Sequence, residues 1–224
     1  MSTSSQILQF LFNLPFNVDL PADVEVLNPF KDPYTRQISS FFYNRFYGDE
    51  HSRYCIIGIN PGRFGGGVTG IPFTDPIRLK SACGIDNTWQ QRQELSSVFM
   101  YEMIDAFGGA EKFYQQFYIT SFSPLGFTSK GKNLNYYDDK TLIKIIQPFA
   151  LHCMKKQLRW ANTSVAFVLG EGANYKFISK FNEEHKLFSS IVPLAHPRFI
   201  MQYKLKSKEA YIAKYLGAFG ISKK

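Results

Sequence analysis

Apolar residues gather in four short runs rich in Ile, Val, Phe and Tyr, at Tyr54–Ile59, Phe117–Thr120, Ser164–Leu169 and Ile191–Leu194. Runs of this length, bounded by polar or glycine-rich stretches, predict buried strands. Between them apolar positions return every three or four residues. That spacing predicts helices over Thr88–Phe107 (closed by Gly108-Gly109), Asp138–Trp160, Ala173–Glu184 and Ser207–Phe219. Pro148 falls inside the second of these and predicts a kink or break there. The opening stretch MSTSSQILQFLFNLPFNV reads as a short amphipathic helix, the start of a helical lead-in over residues 1–50.

Strands alternating with helices predict an α/β fold of three layers, α/β/α, around a central, mostly parallel four-stranded sheet. No linker, repeat or charge block divides residues 1–224, so they read as one domain. In such sheets ligands bind beyond the carboxyl ends of the strands. Four segments take that place: GINPGRFGGGVTGIPF (58–73), TSFSPLGFTSKGKNL (120–134), LGEGAN (169–174) and LAHPRFIMQYK (194–204). The first holds six glycines and two prolines in sixteen residues, which predicts irregular backbone and no helix.

Charge narrows the partners. The 224 residues carry a net charge of +8. Residues 198–224 hold seven bases (Arg198, Lys204, Lys206, Lys208, Lys214, Lys223, Lys224) against one acid, Glu209. Such a segment fits a polyanion, although a solvated helix face is the plain alternative. The three cysteines, Cys55, Cys83 and Cys153, form no CxxC pair, and HExxH is absent. No metal and no cofactor are therefore expected, and the cysteine usage suits a reducing compartment. No run is long enough to span a membrane and the N-terminus lacks the basic start of a signal peptide. The expected protein is a monomer that is not secreted, cytoplasmic and nucleoid-associated in a bacterium or nuclear in a eukaryote.

The nucleotide-binding patterns GxxxxGK[ST] and GxGxxG are absent from the glycine loop, as is the hydrolase elbow GxSxG around Ser121 or Ser123. What remains is Asn60 at the end of one strand and His196 at the end of another. An asparagine is no base, but its amide oxygen can orient water. A histidine can donate a hydrogen bond to charge growing on a leaving group. The pair suits cleavage of a glycosidic bond, where the sugar turns oxocarbenium-like and charge collects on the base.

At this point a resemblance enters. GINPGRFGGGVTGIPF resembles the water-positioning motif of the single-strand-selective monofunctional uracil-DNA glycosylases, G-M-N-P-G-P-F-G followed by T-G-V-P-F. SPLGFTSKGKNL is similar to that family's C-P-L segment and later G-R-N-L, VLGEGANYKF to its strand, glycine turn and helix, and His196-Pro197 to its H-P-S-P. The matches run in order over about Tyr54 to Tyr203. The resemblance implies that Asn60 positions the water and His196 steadies the departing base through a carbonyl. It implies that Phe73 stacks on the flipped base and that Gly62 and the turn at Phe64 approach it closely. Two departures mark a divergent branch. Ser121 stands where the family reads the base edge with an asparagine, and a hydroxyl cannot make the same amide pairing. HPRFIMQYK replaces H-P-S-P-R-N, so a wedge entering the helix is expected from Arg198, Phe199 and Met201, with Lys204 on phosphate.

The expected function is a monofunctional DNA glycosylase acting on damaged single- or double-stranded DNA by base flipping. Uracil comes first among its substrates, with xanthine, hypoxanthine and oxidised pyrimidines left open. The rivals are an inactive nucleic-acid-binding protein of the same fold and a hydrolase of free nucleosides.

Overall fold

The apolar runs pair side by side, as expected of strands too short and too apolar to face water. In chain order the elements are α1 (Thr3–Phe12), β1 (Val24–Leu27), α2 (Pro33–Phe46), β2 (Arg53–Gly58), α3 (Gly66–Thr69), α4 (Pro76–Ser81), α5 (Leu95–Phe107), α6 (Ala110–Tyr114), β3 (Phe117–Ser121), β4 (Gly126–Ser129), β5 (Lys132–Leu134), α7 (Lys140–Gln157), β6 (Ala161–Leu169), α8 (Ala173–His185), β7 (Ser190–Leu194), α9 (Pro197–Tyr203) and α10 (Lys208–Gly220). The structure is a computed structural model and describes residues 1–220. Lys223 and Lys224 of the basic segment lie outside the described residues.

The main sheet runs β3-β2-β6-β7 and is parallel throughout, at the centre of a three-layer α/β/α sandwich. Alternation along β3 shows how the layers are held. Phe117 packs on Phe219 of α10 with ring centroids 4.5 Å apart. Tyr118 and Thr120 donate instead to the side-chain oxygen of Gln157 on α7, at 2.9 and 2.7 Å. Successive side chains of a strand point to opposite faces, so one helix layer covers each. The first face carries an aromatic cluster: Phe113, Phe117, Phe167 and Phe219 are fully buried, each stabilising the fold by roughly 1.5–3 kcal/mol through the area it removes from water.

Several sequence expectations need correction. The helical lead-in over residues 1–50 also contains β1, which joins β4 and β5 in a second, antiparallel sheet of order β1-β4-β5. The glycine loop is not wholly irregular: Gly66–Thr69 forms one helical turn, ended by Gly70 in the left-handed region at φ 71°. The helix expected from Thr88 begins only at Leu95. Pro148 does not break α7, which runs from Lys140 to Gln157. The carbonyl it leaves unpaired is that of Lys144, and both residues are exposed, so water can take the missing bond. The segment TSFSPLGFTSKGKNL is no simple loop. It folds into the β4–β5 hairpin around Lys130 and Gly131, with φ 49° and 69°, the two positive values a tight hairpin turn demands.

Candidate active site

Beyond Gly58 the chain leaves the ladder and Asn60 meets the β5 end of the second sheet. Its Nδ2 donates to the Leu134 carbonyl at 3.1 Å and its Oδ1 accepts from the Tyr136 N–H at 3.0 Å. Only one orientation of the amide satisfies both partners, so Oδ1 and Nδ2 are fixed in place. Tyr136 is itself pinned: its hydroxyl donates to Asn174 Oδ1 at 2.6 Å and its ring lies 4.4 Å from that of Phe122. Asn60 keeps one acceptor lone pair and one N–H for the cleft.

The floor is Phe73. Its backbone sits at φ 54°, a region bulky side chains avoid. Thr69 ties the turn that holds it there. The Thr69 hydroxyl donates to the Thr74 carbonyl at 2.7 Å and accepts from the Ile71 N–H at 3.2 Å. Gly58 leaves room for the ring, since a Cβ there would stand 2.8 Å from Phe73 Cε2 and 3.3 Å from Ser121 Oγ. Ser121, paired with Gly58 across β2 and β3, is buried and forms part of the wall.

His196 follows β7 and caps α9. Its Nδ1 accepts the Arg198 N–H at 3.1 Å, which assigns the proton of the neutral ring to Nε2. Burial, then the positive charge of Arg198, lowers its pKa to about 4. At neutral pH it is therefore an uncharged imidazole with an N–H to give. Its ring centroid lies 5.8 Å from that of Phe73. Pro197 does not delay the next helix. It occupies the first helical position, where its missing N–H costs nothing.

One cleft thus brings together Asn60, Gly62, Phe73, Ser121, His196 and Arg198. Phe64 lies apart from it, in an adjoining furrow, with the Arg92 and Arg63 guanidinium groups 3.7 and 4.5 Å from its ring centroid. Phe199 on α9 and Lys204 just beyond it are exposed, while Met201 is half-buried against the core. Four polar lining residues escaped the sequence reading: Glu94, Ser96, Asn133 and Asn135. Asn133 sits in the quoted GKNL, and its Oδ1 accepts the Arg63 N–H at 3.1 Å. Glu94 was hidden by the helix drawn back to Thr88. Burial, followed by repulsion from Asp75, raises its pKa to about 7 against the pull of Arg198.

A fixed amide and a neutral imidazole, set across an aromatic floor at the carboxyl edge of a parallel sheet, place the protein among the DNA glycosylases. The chain belongs to the uracil DNA glycosylase superfamily, whose family model matches residues 45–220, as the sequence motifs implied. It is similar over its whole length to a solved structure, that of wild-type Pedobacter heparinus SMUG2. Identity is 49%, the match covers 100% of this chain and 99% of that one, and the TM-score is 0.97. No curated protein matches the chain.

Proposed function

We propose that the protein hydrolyses the N-glycosidic bond of deaminated bases in DNA, uracil first, after extruding the nucleotide from the stack. The observation that carries this reading is the pairing of Asn60, whose amide is held at both ends, with His196, neutral and protonated on Nε2. Asn60 Oδ1 orients a water toward C1′ of the sugar. As the C1′–N bond breaks, negative charge grows on the base, and His196 Nε2–H donates to the carbonyl that collects it. The water oxygen bonds to C1′, its proton passes to solvent, and the products are a free base and an abasic site. Phe73 stacks on the extruded ring. The cleft lining contains no lysine among the described residues, which supports hydrolysis over a Schiff-base route with strand cleavage.

A panel of oligonucleotides tests this, each with one uracil, xanthine or hypoxanthine, single-stranded and in duplex. Alkali after incubation reveals abasic sites. Alkali-dependent breaks at the modified base, with none before alkali, are expected. Binding without breaks on any substrate would leave only a nucleic-acid-binding protein. Equal release from free deoxynucleosides would indicate a small-molecule hydrolase.

A further inference from the structure

Glu94 has no part in the reaction just described, yet it lines the same cleft. It precedes α5, and its backbone N–H donates to Asp75 Oδ2 at 2.8 Å. Its carboxyl group lies against the glycine loop. A Cβ on Gly62 would stand 2.7 Å from Oε1, and one on Gly65 would overlap Oε2. Glycine at those positions is what lets the carboxyl sit there. Among the described residues neither oxygen has a hydrogen-bond partner. Glu94 is half-buried and its oxygens stay open toward the cleft, so a ligand seated there can pair with them directly.

The surroundings favour the neutral form. From the start of α4 it faces Asp75, whose own partner is Arg78 at 3.5 Å. The glycine loop contributes Arg63 and β5 contributes Lys132, both on the adjoining furrow that Glu94 also lines. The start of α9 contributes His196, uncharged, and Arg198. Desolvation, then repulsion from Asp75, outweighs the pull of Arg198 and raises the pKa of Glu94 to about 7.

A neutral carboxyl carries one O–H donor and one C=O acceptor in a plane, the same pair that a side-chain amide offers. Deaminated bases share a lactam edge, a ring N–H beside a carbonyl. Ser121 has a single hydroxyl and cannot meet both atoms. We propose that Glu94 is a base-recognition residue. Its neutral carboxyl donates to the carbonyl of the lactam edge and accepts the adjacent ring N–H. Ionised Glu94 would lose the donor and repel charge growing on the base. This assignment rests on the glycosylase reading above and names the residue that serves it.

The test follows kcat/KM from pH 5 to 9 on whichever deaminated base the wild-type protein releases fastest, for wild type, Glu94→Gln and Glu94→Ala. Melting temperatures are measured alongside. Wild-type kcat/KM is expected to fall about tenfold per pH unit above about 7, as one required proton is lost. Glu94→Gln keeps a donor and an acceptor that do not titrate. Its curve should be flat there and gain on wild type by about tenfold per unit. Glu94→Ala should lose roughly 100-fold at every pH, the scale of a lost polar contact to the substrate, with little change in melting temperature. An alkaline fall that persists in Glu94→Gln would overturn the assignment. So would full activity in Glu94→Ala, or losses in both variants that track their melting temperatures. In each of those cases the wild type still releases base, so the glycosylase reading stands. A wild type that releases no base overturns that reading and the assignment together.

Discussion

Asn60 shows how a weak catalytic group is made useful by being fixed. The Leu134 carbonyl and the Tyr136 N–H grip opposite ends of its amide, so the water it orients meets a dipole that need not reorganise. Asn60→Ala is therefore expected to lower the single-turnover rate by about 100-fold or more, with uracil-DNA affinity nearly unchanged. Turnover close to wild type would remove Asn60 from the mechanism. His196 makes a complementary prediction in pH. Burial lowers its pKa from 6.5 to about 4, so the neutral ring dominates above that value. Protonating Nδ1 would set a donor against the Arg198 N–H that now holds the ring in place, so kcat/KM should rise with pH through about 4 and level off by about 5, and His196→Ala should lose this acid limb together with rate. The same shift links to folding. The folded pKa lies below the unfolded one, so the contribution to stability is full above 6.5 and fades as pH falls toward 4. A limb centred near 6.5 would show a solvated histidine.

At the scale of elements, the end of β2 carries the site because Gly58 has no side chain. Gly58→Ala would drive a methyl to 2.8 Å from Phe73 Cε2, and the ring, already at positive φ, must shift. Such overpacking costs about 1–3 kcal/mol in stability. The expected result is a folded protein with a displaced Phe73 and cleavage reduced at least tenfold, readable by crystallography and single-turnover kinetics. Unchanged cleavage would mean that Phe73 is not the stacking floor. Helix α9 extends the argument to DNA. Arg198 and Phe199 are exposed and Tyr203 is 71% exposed, whereas Ile200 is fully buried. Unstacking a base costs a few kcal/mol in duplex and less in a single strand. Arg198→Ala with Phe199→Ala should therefore impair duplex cleavage more than single-strand cleavage, at a nearly constant melting temperature. Equal loss on both substrates would make this face a general binding surface. Met201 is half-buried against the core and is left unchanged in this variant. The elements bearing the site were unequally legible. Four apolar runs marked four strands because buried parallel strands are continuous in hydrophobicity. β4 and β5 gave no such signal: they total seven residues, and β5 is the polar Lys-Asn-Leu. Their turn was spelled in Lys130-Gly131, but a glycine beside a lysine does not announce a hairpin.

Over the whole molecule, Asn60, Ser121 and His196 could be found in sequence because each sits at or just beyond a strand end, where an open α/β sheet places its ligands, and Phe73 because it closes the motif that carries Asn60. Glu94 could not, because what distinguishes it arises only when the glycine loop, α4 and α9 close around one carboxyl group. The same distinction applies to charge. The sequence shows a basic segment from Arg198 onward, but the fold decides which of its charges are free. Lys208 is engaged with Glu102 at 2.6 Å. Arg198 lines the cleft, while Lys204 and Lys206 are exposed just beyond α9. These three exposed bases follow one another within nine residues from the cleft, and the prediction is that they meet the phosphates beside an extruded nucleotide. Phosphate contacts release counterions, and each weakens the salt dependence of duplex binding by about 0.9 when removed. Lys204→Ala with Lys206→Ala should flatten the slope of log K against log salt by up to about 2. It should weaken binding equally for damaged and undamaged duplex, because phosphates carry no base identity. Lys208→Ala should leave the slope alone and lower the melting temperature slightly through its broken ion pair. Fluorescence anisotropy across a salt series, with uncleaved duplex, reads all three variants. A slope unchanged in the Lys204/Lys206 variant, or one that flattens instead in Lys208→Ala, would place the DNA on another face of the protein.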